Sequence, residues 1–224
     1  MRRIPTLVAA MQRLGTQPAE SRSPSPSSRP QKNRDRASMI SSERFASAFG
    51  YAARAHATQL RKGSTVPYIS HPLAVSALVL EYGGDEDQAI AALLHDVIED
   101  GGAAHASPIN QYFGERVLRI VLDCTDALGA QKPEWLPRKQ RYLEHLAGVA
   151  PDSLLVNACD KLHNARCILR DLQQYGGAAF ERFSAGREPV LWYYRKLSEL
   201  FSRREALPAA ALREVVAGIE ALAG

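Results

Sequence analysis

The chain has 224 residues, 46% of them apolar and 23% charged, with a formal net charge of +4. That length holds one well-cored domain and a tail rather than two ordinary domains, and no apolar run approaches the roughly 18 residues needed to cross a bilayer, so no membrane partner is expected. Cys124, Cys159 and Cys167 are odd in number and show neither C-x-x-C nor paired spacing, which argues against a disulfide frame or zinc cluster and predicts a reducing, cytoplasmic setting.

The positive charge is concentrated at the N-terminus. Residues 1–38 carry eight Arg and Lys against Glu20 and Asp35, a net +6, so the remainder of a +4 chain is about −2. A slightly acidic folded part has no basic footprint for nucleic acid, and none is expected as a partner. Residues 1–40 are expected to be a disordered basic tail, because Ser, Pro, Arg and Gln dominate Gln17 to Arg36 and leave too little apolar surface to offset the entropy of ordering. The short apolar stretch after Arg2 and Arg3 is interrupted by Pro5 and runs into Gln12 and Arg13, which does not fit a secretory signal. Met39 precedes the first periodic segment and is an alternative translation start.

From Ser42 onward, Phe45, Phe49, Ala52, Ala53 and His56 recur at helical spacing, predicting a first helix. Further helices are predicted at about 72–82, 86–99, 108–128, 134–148, 152–172, 188–204 and 208–223, separated by breakers such as Gly83-Gly84, Gly101-Gly102, Pro133, Pro151 and Gly176-Gly177. No segment alternates with period two for long enough to make a sheet. Residues 41–224 are therefore expected to form an all-α domain of about eight helices around a single site.

Three segments carry chemistry. In 86–99, Asp85 followed by Gln88 resembles a capping box, and the apolar stripe is Ile90, Leu93, Leu94 and Val97. At 100° per residue, His95, Asp96, Glu99 and Asp100 share the opposite face. The preceding turns of that face hold Ala89 and Ala92, so it reads as covered by protein until the acidic cluster begins. In 152–172, Leu154, Leu155, Ala158, Leu162, Ala165 and Leu169 make one stripe. Asp160 points away from it, with Asn164 one turn on, on a nearly uncharged face that suits a pocket wall. His71, just before Pro72, stands at the mouth of another helix. Each residue also has an ordinary structural reading: a solvated polar face, a salt-bridged aspartate, a capping histidine.

Taken together, Arg61-Lys62 with Pro67-Tyr68-Ile69-Ser70-His71-Pro72, Ala92-Leu93-Leu94-His95-Asp96-Val97-Ile98-Glu99-Asp100, and Asp160-Lys161-Leu162-His163-Asn164-Ala165-Arg166 resemble the hydrolase domain of RelA/SpoT-type enzymes, especially the stand-alone small alarmone hydrolases. Three separated motifs match in order, over about residues 43–204. The resemblance implies an HD-type helical bundle around a single metal site and removal of the 3′-pyrophosphate from (p)ppGpp-like nucleotides. It implies that His71, His95, Asp96 and Asp160 hold one divalent metal, usually manganese, and that Glu99 and Asp100 handle the attacking water. Arg61 and Lys62 would grip the nucleotide from one side and Asn164 from the other. Lys161, and also Lys139, are candidates to add positive field.

The residue types agree with that chemistry. Two imidazoles and two carboxylates suit manganese, iron or zinc, and such an ion brings the pKa of water toward about 7. A carboxylate one turn beyond can orient that water or take its proton. Tyr193 and Tyr194, beside Trp192, belong to a late helix that in the resembled family closes over the substrate, although an aromatic run at helical spacing also fills cores. Cys167 stands where the long enzymes have a polar residue, and no obvious acidic patch surrounds Trp135, which leaves the choice between guanine and adenine nucleotides open. Two alternatives remain: a broader HD nucleotide phosphatase, acting for example on (p)ppApp or on the 2′-phosphate of NADPH, and a catalytically inactive alarmone-binding regulator.

Overall fold

The structure is a computed structural model that describes residues 42–127 and 133–224. The expected tail and Met39 lie outside the described residues. Helices α1 (Ser42–Ala55), α2 (Ser70–Glu81), α3 (Glu86–Leu94), α4 (Val97–Gly101), α5 (Ala106–Phe113), α6 (Glu115–Cys124), α7 (Trp135–Leu146), α8 (Pro151–Tyr175), α9 (Arg187–Arg203) and α10 (Ala209–Ala223) follow one another, with short 3₁₀ turns at Ala103–His105 and Gly176–Arg182. Among the described residues the only extended pairing is the antiparallel bridge between Leu60 and Pro67, so the all-α expectation holds.

Two of the eight predicted helices are each divided. The 108–128 segment breaks at Gly114, whose φ of 90° lies in the left-handed region that favours glycine; α5 ends there and α6 begins. The 86–99 segment breaks at His95-Asp96, between α3 and α4. Neither residue leaves right-handed helical dihedral space there, with φ/ψ of −59°/−33° at His95 and −93°/−7° at Asp96. Asp100 N–H still donates to the Asp96 carbonyl at 2.9 Å. The pause turns the ends of two short helices toward the site without sending the chain elsewhere.

Helix α3 starts where the sequence says it should. The Asp85 carboxylate accepts from Gln88 N–H at 3.1 Å while Gln88 Oε1 accepts from Asp85 N–H at 2.9 Å, a reciprocal cap. Just before it, Gly84 is required by space. A Cβ there would lie 2.5 Å from Val79 Cγ1 and 2.8 Å from the Val79 carbonyl oxygen, so α2 and α3 could not turn back on each other as closely.

The long helix α8 is the axis of the bundle. Pro151 occupies its first turn, where a missing N–H costs nothing, and the helix packs against α2, α3, α6 and α10. The stripe read from the sequence is buried: Leu154, Leu155, Ala158, Leu162 and Ala165 all enter the core, with Leu169 partly covered. On α3, Ala89, Ile90, Ala92, Leu93 and Leu94 have no exposed surface. Burying a Leu or Ile side chain stabilises by about 1.5–3 kcal/mol, so α3 is fixed as the innermost element, and His95 at its C-terminal end cannot drift. Ala89 and Ala92 on the polar side of the pattern are covered as expected.

Candidate metal centre and nucleotide cavity

Three core helices bring the separated motifs together. The N-terminal turn of α2 supplies His71, the α3–α4 junction supplies His95 and Asp96, and the middle of α8 supplies Asp160. His71 and His95 are each 1% exposed and Asp160 3%. His71, His95 and Asp96 each offer a ligand atom within 4.8 Å of the other two. Asp160 stands outside that mutual trio, yet its Oδ1 lies 3.2 Å from His71 Nε2 and 3.7 Å from His95 Nε2.

The donor set fits a divalent cation. His95 Nδ1–H donates to the Ala92 carbonyl at 2.7 Å, which leaves Nε2 with a lone pair, and Nε2 is a buried atom with no hydrogen-bond partner among the described residues. Buried polar atoms are rarely left so. Asp96 Oδ2 lies 3.0 Å from that nitrogen. Burial disfavours charge on His95, but Asp96 and Asp160 outweigh it and raise its pKa well above the ordinary histidine value; the carboxylates that favour a proton there favour a cation equally. Burial lowers His71, keeping it the neutral imidazole a metal needs. For Asp160, burial is overcome by Lys161 and by the two histidines, and its carboxyl is held well below the usual range. Asp96 is likewise held low, burial being overcome chiefly by His95.

The carboxylates are held from behind. Tyr68 O–H donates to Asp96 Oδ2 at 2.6 Å, Asn164 Nδ2 donates to Asp160 Oδ1 at 2.6 Å, and Lys161 Nζ donates to Asp160 Oδ2 at 2.5 Å. Lys161, read from sequence among the substrate cations, is thus placed on a carboxylate of this centre. Its ammonium also lies 5.0 Å from the Tyr142 ring centroid. Lys139 is paired with Asp126, as is Arg138, and sits 5.0 Å from the Tyr193 ring centroid.

Glu99 and Asp100 lie on α4, one turn beyond Asp96. Asp100 is exposed and accepts from Gln59 Nε2 at 2.8 Å, while half-buried Glu99 accepts from the Asp126 backbone N–H at 3.4 Å. A cavity of about 700 Å³ has Arg61, Lys62, Tyr68, Asn164, Cys167 and Tyr194 in its wall; it meets the candidate centre through Tyr68 and Asn164, which hydrogen-bond Asp96 and Asp160, while Glu99, Asp100 and the four candidate ligands do not line it. Arg61 reaches across it: its guanidinium donates to Asn164 Oδ1 at 2.8 Å and lies 5.6 Å from the Tyr68 ring centroid. Lys62 is exposed beside it, and Arg170 and Arg182 add cations farther along. Tyr193 and Tyr194 are both buried, but Tyr194 reaches the cavity wall.

Sequence reasoning assigned no role to four residues that support this centre. Tyr68 and Gln59 stand between α1 and α2, in the run that carries Arg61 and His71, and hydrogen-bond Asp96 and Asp100. Asp126 follows α6. His163 lies within the third motif, its Nδ1 2.7 Å from His71 Nδ1. The signal that could have found His163 was its place three residues after Asp160, on the same face of α8.

Comparison with known proteins fits this geometry. The HD domain family matches residues 48–191. Guanosine-3′,5′-bis(diphosphate) 3′-pyrophosphohydrolase MESH1 of Xenopus tropicalis is 38% identical over 126 residues, 55% of this chain and 68% of that protein. MESH1 of Homo sapiens is 36% identical over 123 residues, 54% of this chain and 66% of that protein, so the match spans about two thirds of either relative. Among solved structures, a metazoan ortholog of SpoT that hydrolyzes ppGpp superposes with a TM-score of 0.65 at 30% identity, over 80% of this chain and 96% of that one. A Listeria monocytogenes protein at 22% identity and TM-score 0.58, covering 65% of this chain and 96% of that one, shares the fold. With the metal-type donor set lying inside the matched residues, the chain belongs to the HD domain family.

Proposed function

We infer that this protein is a metal-dependent hydrolase that removes the 3′-pyrophosphate from (p)ppGpp-like nucleotides. The observation that carries the reading is the Arg61–Asn164 hydrogen bond, which sets a cationic anchor one helical turn from Asp160 on the cavity wall. The named activity of the MESH1 relatives and of the solved SpoT ortholog supports it. Manganese is the proposed ion, held by His71, His95, Asp96 and Asp160; a mixed nitrogen and oxygen donor set suits it. When bound, such an ion supplies Lewis acidity and makes water acidic near neutral pH.

The chain's own groups divide the remaining work. Arg61 and Lys62 hold the nucleotide from one side and Asn164 from the other, with Lys161 adding positive field through Asp160. Glu99 and Asp100 orient the attacking water and accept its proton. The water oxygen joins the phosphorus nearest the ribose, the bond from that phosphorus to the 3′-oxygen breaks, and a proton returns to that oxygen. Three free cysteines fit a reducing cytoplasmic setting, and among the described residues no helix is long and apolar enough to cross a membrane.

A nucleotide panel tests the reading. Turnover of ppGpp should stop on chelation and return with manganese, while GTP, AMP and simple phosphate esters should react far more slowly because they have no 3′-pyrophosphate to bring to the metal while the anchors hold the rest of the nucleotide. Comparable rates on simple esters would favour a general nucleotide phosphatase, and tight ppGpp binding without turnover under any divalent metal would favour a regulator.

A further inference from the structure

The two ring nitrogens of His71 have different neighbours. Nε2 faces Asp96 and Asp160 at 3.5 and 3.2 Å, whereas Nδ1 lies 2.7 Å from His163 Nδ1, the rings tilted by 33° with centroids 4.9 Å apart. Two bare nitrogens at that separation repel, so one of them carries a hydrogen. If His71 presents the Nε2 lone pair to a cation, its hydrogen is on Nδ1 and His163 Nδ1 must accept it. The hydrogen of His163 is then on Nε2, whose neighbour is Cys167 Sγ at 3.9 Å, a weak acceptor. Of the two possible assignments, only this one leaves the His71 Nε2 lone pair facing the cation. The reverse donation would put the His71 hydrogen on Nε2, among the ligands, and remove a metal donor.

We propose that His163 is a positioning residue for the metal: it accepts the Nδ1 hydrogen of His71 and thereby fixes both the tautomer and the ring angle with which His71 Nε2 meets the ion. His71 has no second route to the same end, since it is 1% exposed and water cannot readily replace the acceptor. His163 itself is only half buried and reaches the cavity wall, so it can be changed with less risk to the core than His71. Partners of this kind are worth about 10–100-fold in metal affinity. The proposal rests on His71 being a ligand, as read above.

The test measures manganese affinity of the full chain directly, from the aqueous Mn²⁺ electron-paramagnetic signal left free in a titration. His163→Phe keeps a ring but has no acceptor, and should weaken binding by about 10–100-fold while the metal-free melting temperature changes little. His163→Gln offers a side-chain carbonyl to the same hydrogen and should recover most of the affinity. If the Phe variant fails to fold, His163→Leu reads the same loss in a smaller side chain. His71→Ala is the control for the ligand assignment. Wild-type affinity in His163→Phe, alongside loss in His71→Ala, overturns the positioning role alone. Equal weakening in the Phe and Gln variants also overturns it, because packing and not the acceptor would then matter. Wild-type affinity in His71→Ala overturns the ligand reading together with the proposal.

Discussion

The two ends of the site are built by different means. At the proposed metal end, His71, His95 and Asp160 come from three helices whose apolar faces form the centre of the core, and each is at most 3% exposed. At the proposed nucleotide end, Arg61 and exposed Lys62 stand on the segment between α1 and α2, held by the short Leu60–Pro67 bridge, by Arg61 N–H donating to the Val66 carbonyl at 2.8 Å, and by side-chain bonds from Gln59 to Asp100, Tyr68 to Asp96 and Arg61 to Asn164. The difference implies a division of labour. A buried end fixed by packing can hold ligands to the tolerance a metal needs, while a loop whose residues 62–67 are exposed can adjust at its tip around a long, flexible polyanion.

Changes at the buried end should have the largest effects. His95→Ala or Asp160→Ala should strip the metal and lower turnover by well over the roughly 100-fold typical of a merely supporting residue. Stoichiometric metal in both purified variants, by elemental analysis, would remove those residues from the ligand set. Glu99→Gln combined with Asp100→Asn should leave metal content and nucleotide binding intact and reduce kcat by about 10²–10⁴-fold, the usual weight of general acid–base catalysis. A near-normal kcat would contradict the assignment of water handling to α4.

The loop end should respond in KM. Arg61→Ala removes a charge-assisted contact worth about 1.5–3 kcal/mol, so KM should rise roughly ten- to hundredfold with kcat changed much less. An equal fall in kcat and in kcat/KM would mean that Arg61 acts in the transition state and that the two ends are not separate in function.

The smallest effect concerns what steadies the buried end from outside. Asp152, in the first turn of α8, accepts from Arg119 at 2.5 Å and from Arg116 at 3.1 Å. Burial would raise its pKa, but the two arginines outweigh burial and lower it from the ordinary value of 3.8. A depressed carboxylate contributes stability above its unfolded pKa, and that contribution is lost as pH falls through the folded value. Asp152→Asn should therefore destabilise by about 1 kcal/mol at pH 7, given the partial exposure of both arginines, and the gap should close as pH drops below about 4. A gap that persists at pH 3 would show that the carboxylate charge is not its source.

The buried end was also the more legible in sequence. Periodicity gave the stripes of α3 and α8 that pack into the core, and the Asp85 and Gln88 pattern gave the cap, whereas His71, His95, Asp96 and Asp160 came together as a set only through the family resemblance; the fold puts them at the ends or middles of core helices. Periodicity could not show the pause at His95-Asp96, because both residues keep right-handed helical dihedral angles and the hydrophobic pattern runs on through Val97. Nor could it pair side chains far apart in the chain. His71 and His163 are separated by 92 residues and Arg61 and Asn164 by 103; nothing local in either partner encodes the meeting. Lys161 shows the same limit, since a lysine beside an aspartate on one helix reads equally as a free cation or as that aspartate's partner, and only the structure shows it on Asp160, with the Tyr142 ring centroid 5.0 Å away.

The central claim is that the buried metal end receives the 3′-pyrophosphate while the loop end holds the rest of the nucleotide, and the products of ppGpp hydrolysis test it most directly. With manganese present, phosphorus NMR of the reaction should show GDP and pyrophosphate appearing together in equal amounts, with no orthophosphate. Orthophosphate as the first product, with the 3′-oxygen still phosphorylated, would mean that a terminal phosphate meets the metal and would contradict the account.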